Sequence, residues 1–214
     1  MCGISGSIIL EKNQDLGLIK KTLIKMKRRG PDNQSFLVKK INRKCVNLLH
    51  SRLNIIDIRD RSNQPMTIGN YTIIFNGEIY NYIELRQILK KKNYIFKTNS
   101  DTEVLLNTFI EYGEKCVDYL VGMWAFAIWD NNKKKLFLSR DLFGEKPLYY
   151  CLSSKGFFFG SEIKFIKTLS NNEFKINKNQ IYKNLFLGYK SLNKTNETFY
   201  KNIYSLENST NITI

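Results

Sequence analysis

Met1-Cys2-Gly3-Ile4-Ser5-Gly6-Ser7-Ile8-Ile9-Leu10 opens the chain. From Gly3 onward this is a run of small and β-branched residues, which predicts a buried strand with a thiol just before it. Helical spacing follows at Leu16, Ile19, Leu23 and Met26 and stops at Gly30-Pro31. A second set of strands is predicted at 36–39, 45–50 and 71–75, with Asn76-Gly77 as a turn dipeptide. Two helices come next. One carries Tyr82, Leu85 and Leu89; the other opens on Ser100-Asp101-Thr102-Glu103, read as a capping box, and runs to Gly113. Residues 123–129, 135–140, 148–152 and 156–159 then read as a β meander, followed by a short helix over 162–169. Strands, then helices, then strands again predict an α+β layered domain rather than a parallel βαβ repeat.

After about residue 170 the sequence turns Asn-rich and Lys-rich, with one candidate helix at 179–187 and a weak strand at 198–204. That stretch is too short and too polar for a second core. The expectation is a domain over 1–170, followed at 171–214 by a linker or the start of a further domain.

The 214 residues suit one domain, and 43% hydrophobic with 25% charged residues excludes disorder for most of it. No stretch approaches the ~18 apolar residues of a membrane span and no secretory signal opens the chain, so a soluble, cytoplasmic protein is expected. Lys and Arg number 34 against 19 Asp and Glu, a net charge of +15. Lys, Asn and Ile make up 75 residues, the bias of A/T-rich coding, and the basic clusters are separate, so no specific nucleic-acid site is expected. Cys2, Cys45, Cys116 and Cys151 are scattered, without the short pairs of a zinc or redox site, and disulfides are not expected.

Removal of Met1 would place a thiol and a free α-amine on Cys2. An amine with a reference pKa of about 7.7 to 8.0 can take the thiol proton near neutral pH, so the residue would carry its own base. His50 is the only histidine, and alone it reads best as a packed, hydrogen-bonded core residue. A metal site built on several histidines is excluded, and no Gly-x-Ser-x-Gly elbow is present. N-terminal nucleophile chemistry survives this elimination because it needs no histidine.

Several strings now stand together. They are Met1-Cys2-Gly3-Ile4-Ser5-Gly6, Arg29-Gly30-Pro31-Asp32, His50-Ser51-Arg52-Leu53-Asn54-Ile55-Ile56-Asp57, Gln64-Pro65-Met66, Asn76-Gly77-Glu78-Ile79-Tyr80-Asn81, Ser100-Asp101-Thr102-Glu103 and Gly122-Met123-Trp124-Ala125-Phe126-Ala127, then Arg140-Asp141-Leu142-Phe143-Gly144-Glu145-Lys146-Pro147-Leu148-Tyr149-Tyr150 and Gly160-Ser161-Glu162-Ile163-Lys164. In this order they resemble the glutaminase (class II glutamine amidotransferase) domain of glutamine-hydrolysing asparagine synthetase. The resemblance covers residues 1 to about 170, and Glu197-Thr198-Phe199-Tyr200-Lys201 is similar to the family's connection to its synthetase half. The fold it implies is an N-terminal nucleophile hydrolase, a four-layer αββα sandwich of mainly antiparallel sheets.

The resemblance implies roles residue by residue. Cys2 would attack the side-chain amide carbon of glutamine, with the Asn76 side-chain amide and the Gly77 N–H as oxyanion donors. Arg52 would hold the α-carboxylate and Asp101, helped by Glu78, the α-ammonium; Leu53 and Ile55 would offer backbone contacts. Residues 29–32 and 140–146 are expected to be scaffold around the site rather than chemistry. No metal site is expected in this chain.

Asparagine synthetases continue into a domain with a Ser-Gly-Gly-x-Asp-Ser phosphate loop, and no such loop occurs here. ATP and magnesium are therefore expected only for an absent synthetase domain, and no cofactor for this chain. The implied partners are glutamine and a synthetase domain or subunit accepting ammonia, without membrane; a homodimer is left open. Two other readings stay open as well: an N-terminal nucleophile amidotransferase or amidohydrolase serving another acceptor or amide, and a non-catalytic basic regulatory module.

Overall fold

Two antiparallel sheets lie face to face in the computed structural model, which describes residues 1–188 and 195–214. The first sheet is built from β1 (Gly3–Leu10), β2 (Asn33–Ile41), β3 (Lys44–Arg52), β8 (Tyr149–Ser153), β9 (Gly156–Gly160) and β10 (Tyr204–Ser205), in the order β10-β8-β9-β1-β3-β2. The second holds β4 (Met66–Ile68), β5 (Tyr71–Ile79), β6 (Gly122–Asp130), β7 (Lys135–Arg140) and β11 (Asn211–Thr213), in the order β11-β7-β6-β5-β4. Helices α1 (Leu16–Met26) and α4 (Ile163–Ser170) cover the outer face of the first sheet, and α2 (Tyr82–Lys91) and α3 (Asp101–Tyr112) lie over the second. A further helix, α5 (Lys178–Leu187), follows α4.

Side-chain alternation explains the layers. On β3, Val46 and Leu48 face the space between the sheets with Ile4, Ile74 and Phe159, whereas Cys45 and Leu49 face α1 and α4 with Ile19, Leu23, Phe158 and Phe165. On β5, Ile74 points inward, while Ile73 and Phe75 join Leu85, Leu89, Val104 and Leu105 beneath α2 and α3. Both faces of each sheet are covered. That is why these strands read as nearly continuous apolar runs rather than alternating ones.

Four expectations are corrected. The meander expected over 123–159 divides between the sheets, β6 pairing with β7 in the second and β8 with β9 in the first. Asn76-Gly77 is not a turn: β5 continues through it, with Asn76 opposite Ala125, Gly77 opposite Trp124 and Ile79 opposite Gly122. Half of the capping box is missing. Ser100 Oγ accepts from the Thr102 N–H at 3.0 Å, but the Glu103 carboxylate turns away to accept from the N–H groups of Lys97 (2.8 Å) and Thr98 (2.7 Å). The strand expected at 198–204 is reduced to Tyr204–Ser205, paired with β8.

Neither sheet ends at residue 170. The C-terminal segment adds β10 to one sheet and β11 to the other, and buries Ile203 and Leu206. No helix among the described residues is long and apolar enough to cross a membrane.

Candidate active site

The start of β1, the ends of β3 and β5 and the first turn of α3 converge on one pocket. Cys2, Arg52, Leu53, Ile55, Asn76, Gly77, Glu78 and Asp101, the residues to which the resemblance gave catalytic or substrate-binding roles, line it. Its empty volume is about 560 Å³ including the open mouth.

Antiparallel pairing of Gly3 with Ser51 sets Cys2 beside the end of β3. The Leu53 N–H points at Cys2 Sγ from 3.4 Å, and Arg29 Nε donates to the Cys2 carbonyl at 2.8 Å. Gly30 makes this junction possible, because a Cβ there would lie 2.3 Å from the Ser51 carbonyl. The Asp32 N–H donates to Arg52 O at 3.0 Å, and the Asn54 N–H to Asp32 Oδ2 at 2.7 Å. Burial pushes the Cys2 thiol above its ordinary value, against the pull of the Leu53 N–H and the N-terminal charge. The resting sulfur is a thiol, and it needs a base.

Asn76 projects from the inward face of β5, is 1% exposed, and its Nδ2 has no hydrogen-bond partner. An unpartnered buried amide donor costs about 1 to 3 kcal/mol, so its persistence beside a pocket calls for a function. Gly77 supplies a second donor through strand geometry. Trp124, opposite it, directs both its backbone groups to Asp141, so this is a non-hydrogen-bonded pair and the Gly77 N–H points away from β6. On that same edge the Phe75 N–H donates to Gln64 Oε1 at 2.6 Å and the Ile79 N–H to Asp101 Oδ2 at 3.1 Å, and Gly77 lies between them. A Cβ at Gly77 would meet Met123 O at 2.2 Å, so only glycine permits this close pairing.

Arg52 is 4% exposed, and among the described residues no carboxylate pairs with it. Its fork is already occupied: Nη1 donates to Arg59 O (3.0 Å) and Asn63 Oδ1 (2.8 Å), and Nη2 to Ile56 O (3.3 Å) and Asp57 O. The guanidinium therefore offers the pocket its charge rather than an open bidentate fork. Asp101, at the head of α3, is 5% exposed. Burial pushes its carboxyl up to about 6, although the Ile79 and Thr102 N–H groups pull it down; Glu78 adds a further upward push. A positive and a negative side chain thus line one pocket, an arrangement that fits a zwitterion.

His50 is fully buried between the sheets, its Nε2 3.1 Å from Phe75 O, and burial lowers it to about 3. It is neutral and is a strut between β3 and β5, as its isolation in the sequence suggested. Gln64 and Lys146 line the pocket without having been expected to take part in its chemistry. Gln64 ties the Phe75 N–H to Thr102 Oγ1, its Nε2 donating to the latter at 3.2 Å, so it joins β5 to α3. Lys146, expected as scaffold, is 7% exposed and lines the pocket next to Met1. Nothing in the sequence marks either residue as buried.

Two stacked sheets between helical layers, with a cysteine nucleophile candidate at the head of a strand, define an N-terminal nucleophile hydrolase fold. Solved structures share it: the glutamine phosphoribosylpyrophosphate amidotransferase of B. subtilis, complexed with ADP and GMP, has a TM-score of 0.64 at 19% identity over 78% of this chain and 43% of that one. The chain belongs to the glutamine amidotransferase domain family, whose model matches residues 1–214. Asparagine synthetase [glutamine-hydrolyzing] 3 of Bacillus subtilis (strain 168) is 40% identical over 78% of this chain and 27% of its own. Putative asparagine synthetase [glutamine-hydrolyzing] 2 of Methanocaldococcus jannaschii is 34% identical over 99% of this chain and 44% of its own. The chain thus spans less than half the length of these curated relatives.

Proposed function

We propose that this chain is the glutaminase half of a glutamine-hydrolysing asparagine synthetase. After loss of Met1, the Cys2 thiol gives its proton to its own α-amine while sulfur attacks the side-chain amide carbon of glutamine. The tetrahedral oxyanion is held by Asn76 Nδ2 and the Gly77 N–H. The carbon–nitrogen bond then breaks, the amine's proton leaves with the nitrogen as ammonia, and water cleaves the thioester to glutamate. Arg52 and Asp101 bind the two ends of the amino acid. Ammonia passes to a synthetase half, where ATP and magnesium would act, in the cytoplasm where the thiol stays reduced.

The observation that carries this reading is the unpartnered, buried Asn76 Nδ2 beside the edge-facing Gly77 N–H in the Cys2 pocket. Asn76→Ala should lower glutamine turnover about 100- to 1000-fold with little change in KM, because the donor acts on charge that forms only in the transition state. Cys2→Ala, folded by circular dichroism, should have no activity at all. A KM effect without a turnover effect in Asn76→Ala, or residual activity in Cys2→Ala, would overturn the assignment.

A further inference from the structure

Among the described residues, Lys146 is the one buried cation of the pocket that the mechanism above does not use. Its Nζ lies 3.7 Å from Met1 Sδ, and among the described residues no carboxylate pairs with it. Arg29 also reaches Met1 Sδ, with Nη2 at 3.9 Å, but its charge is offset by Glu162, 3.4 Å from Nη1. Burying an ammonium without a counter-charge is costly, and the chain nevertheless fixes this one in place. Asp141 Oδ2 accepts from the Lys146 N–H at 2.9 Å, Asp141 Oδ1 accepts from the N–H groups of Phe143 (3.1 Å) and Glu145 (2.9 Å), and Arg140 Nε donates to Lys146 O at 2.8 Å. The loop 140–146 is a clamp on the backbone of Lys146.

Met1 occupies the space that this ammonium faces. Once Met1 is removed, the new α-amine stands a few covalent bonds from where Met1 Sδ was, within about 10 Å of Nζ in a partly buried site where like charges still repel. We propose that Lys146 is a positioning residue for the N-terminal base: its ammonium holds the Cys2 α-amine in the neutral form that accepts the thiol proton. This rests on the reading of Cys2 as nucleophile. A protonated amine cannot take the proton released when sulfur bonds to the amide carbon, so the acid limb of kcat/KM follows the amine together with Asp101, whose carboxyl must be ionised to hold the substrate ammonium.

The other charges around that amine are known by position. Arg29 with Glu162 comes from the helical layer, Arg52 from β3, Glu78 from β5, Asp101 from α3, and the Cys2 thiol shares the residue. Asp141, buried in the loop 140–146, faces the backbone of Lys146. All of these groups remain when only Lys146 is replaced, and because Asp101 titrates within the same pH range, the direct titration of the amine is the deciding readout.

The test compares wild type, Lys146→Gln and Lys146→Arg, each verified by intact mass to begin at Cys2. kcat/KM for glutamine is followed from about pH 5.5 to 9.5, and the amine is titrated directly by NMR in protein carrying ¹⁵N-cysteine. Lys146→Gln should move both the acid limb and the amine titration upward by about half to one pH unit, and Lys146→Arg should restore them. An acid limb and amine titration that stay put in Lys146→Gln would overturn the inference while the wild type remains active. Active wild type that retains Met1, or processed wild type without activity, would instead overturn the Cys2 reading and this inference with it. The NMR titration needs no turnover, so a variant that loses activity for another reason still gives an answer.

Discussion

Asp101 carries opposite consequences for stability and for binding. Its carboxyl is raised to about 6 in the folded chain from 3.8, chiefly by burial. A group raised on folding favours the folded state below its unfolded pKa and loses that contribution as pH rises through the folded value. At neutral pH the ionised Asp101 therefore destabilises the empty fold by up to about 3 kcal/mol. Asp101→Asn should raise unfolding free energy by about 1 to 3 kcal/mol at pH 7.5, and urea titrations should show the gain shrinking between pH 6.5 and 4.5. Glutamine binding should move the other way. An α-ammonium needs the ionised carboxylate, so in Cys2→Ala protein calorimetric affinity for glutamine should fall as pH drops below about 6, and Asp101→Asn should bind poorly at every pH. Pairing the carboxylate only when substrate is present is a stability cost that binding recovers.

At the scale of elements, β5 decides the site. It brings Asn76, Gly77 and Glu78 to the pocket, and Gln64 and Asp101 hold the N–H groups on either side of Gly77. Gly77→Ala would put a Cβ 2.2 Å from Met123 O, so β5 and β6 would have to separate. We expect a loss of about 2 kcal/mol in urea unfolding, together with loss of glutaminase activity as the N–H shifts. This strand also marks what a sequence can say. Residues 71–75 were legible as a strand because both faces are apolar, but Asn76-Gly77 carries a strong local turn signal. What overrides it is pairing with Trp124 and Ala125, a contact far away in the chain. The meeting of Cys2, Arg52, Asn76 and Asp101 was legible through the resemblance and not through their spacing. Lys146 was missed because a lysine in a charged loop has the same letters whether it is solvated or clamped.

For the whole molecule, the relatives' greater length predicts the behaviour of this chain by itself. Purified and given glutamine, ATP, magnesium and aspartate, it should release glutamate and ammonia in equal amounts, form neither AMP nor asparagine, and turn over no faster with ATP and aspartate than without. Asparagine made by the 214 residues alone would require an ATP site that the sequence reading did not find.

The Met1 side chain, exposed yet with its sulfur within reach of Arg29 and Lys146, has a practical corollary for anyone handling the protein. A purification tag or an acetyl group on the N-terminus would leave an amide where the base belongs. Such a preparation would be folded yet silent, which makes it a natural host for trapping intact glutamine in crystals. Activity measurements belong to protein tagged beyond β11, and specific activity should count trimmed N-termini rather than milligrams.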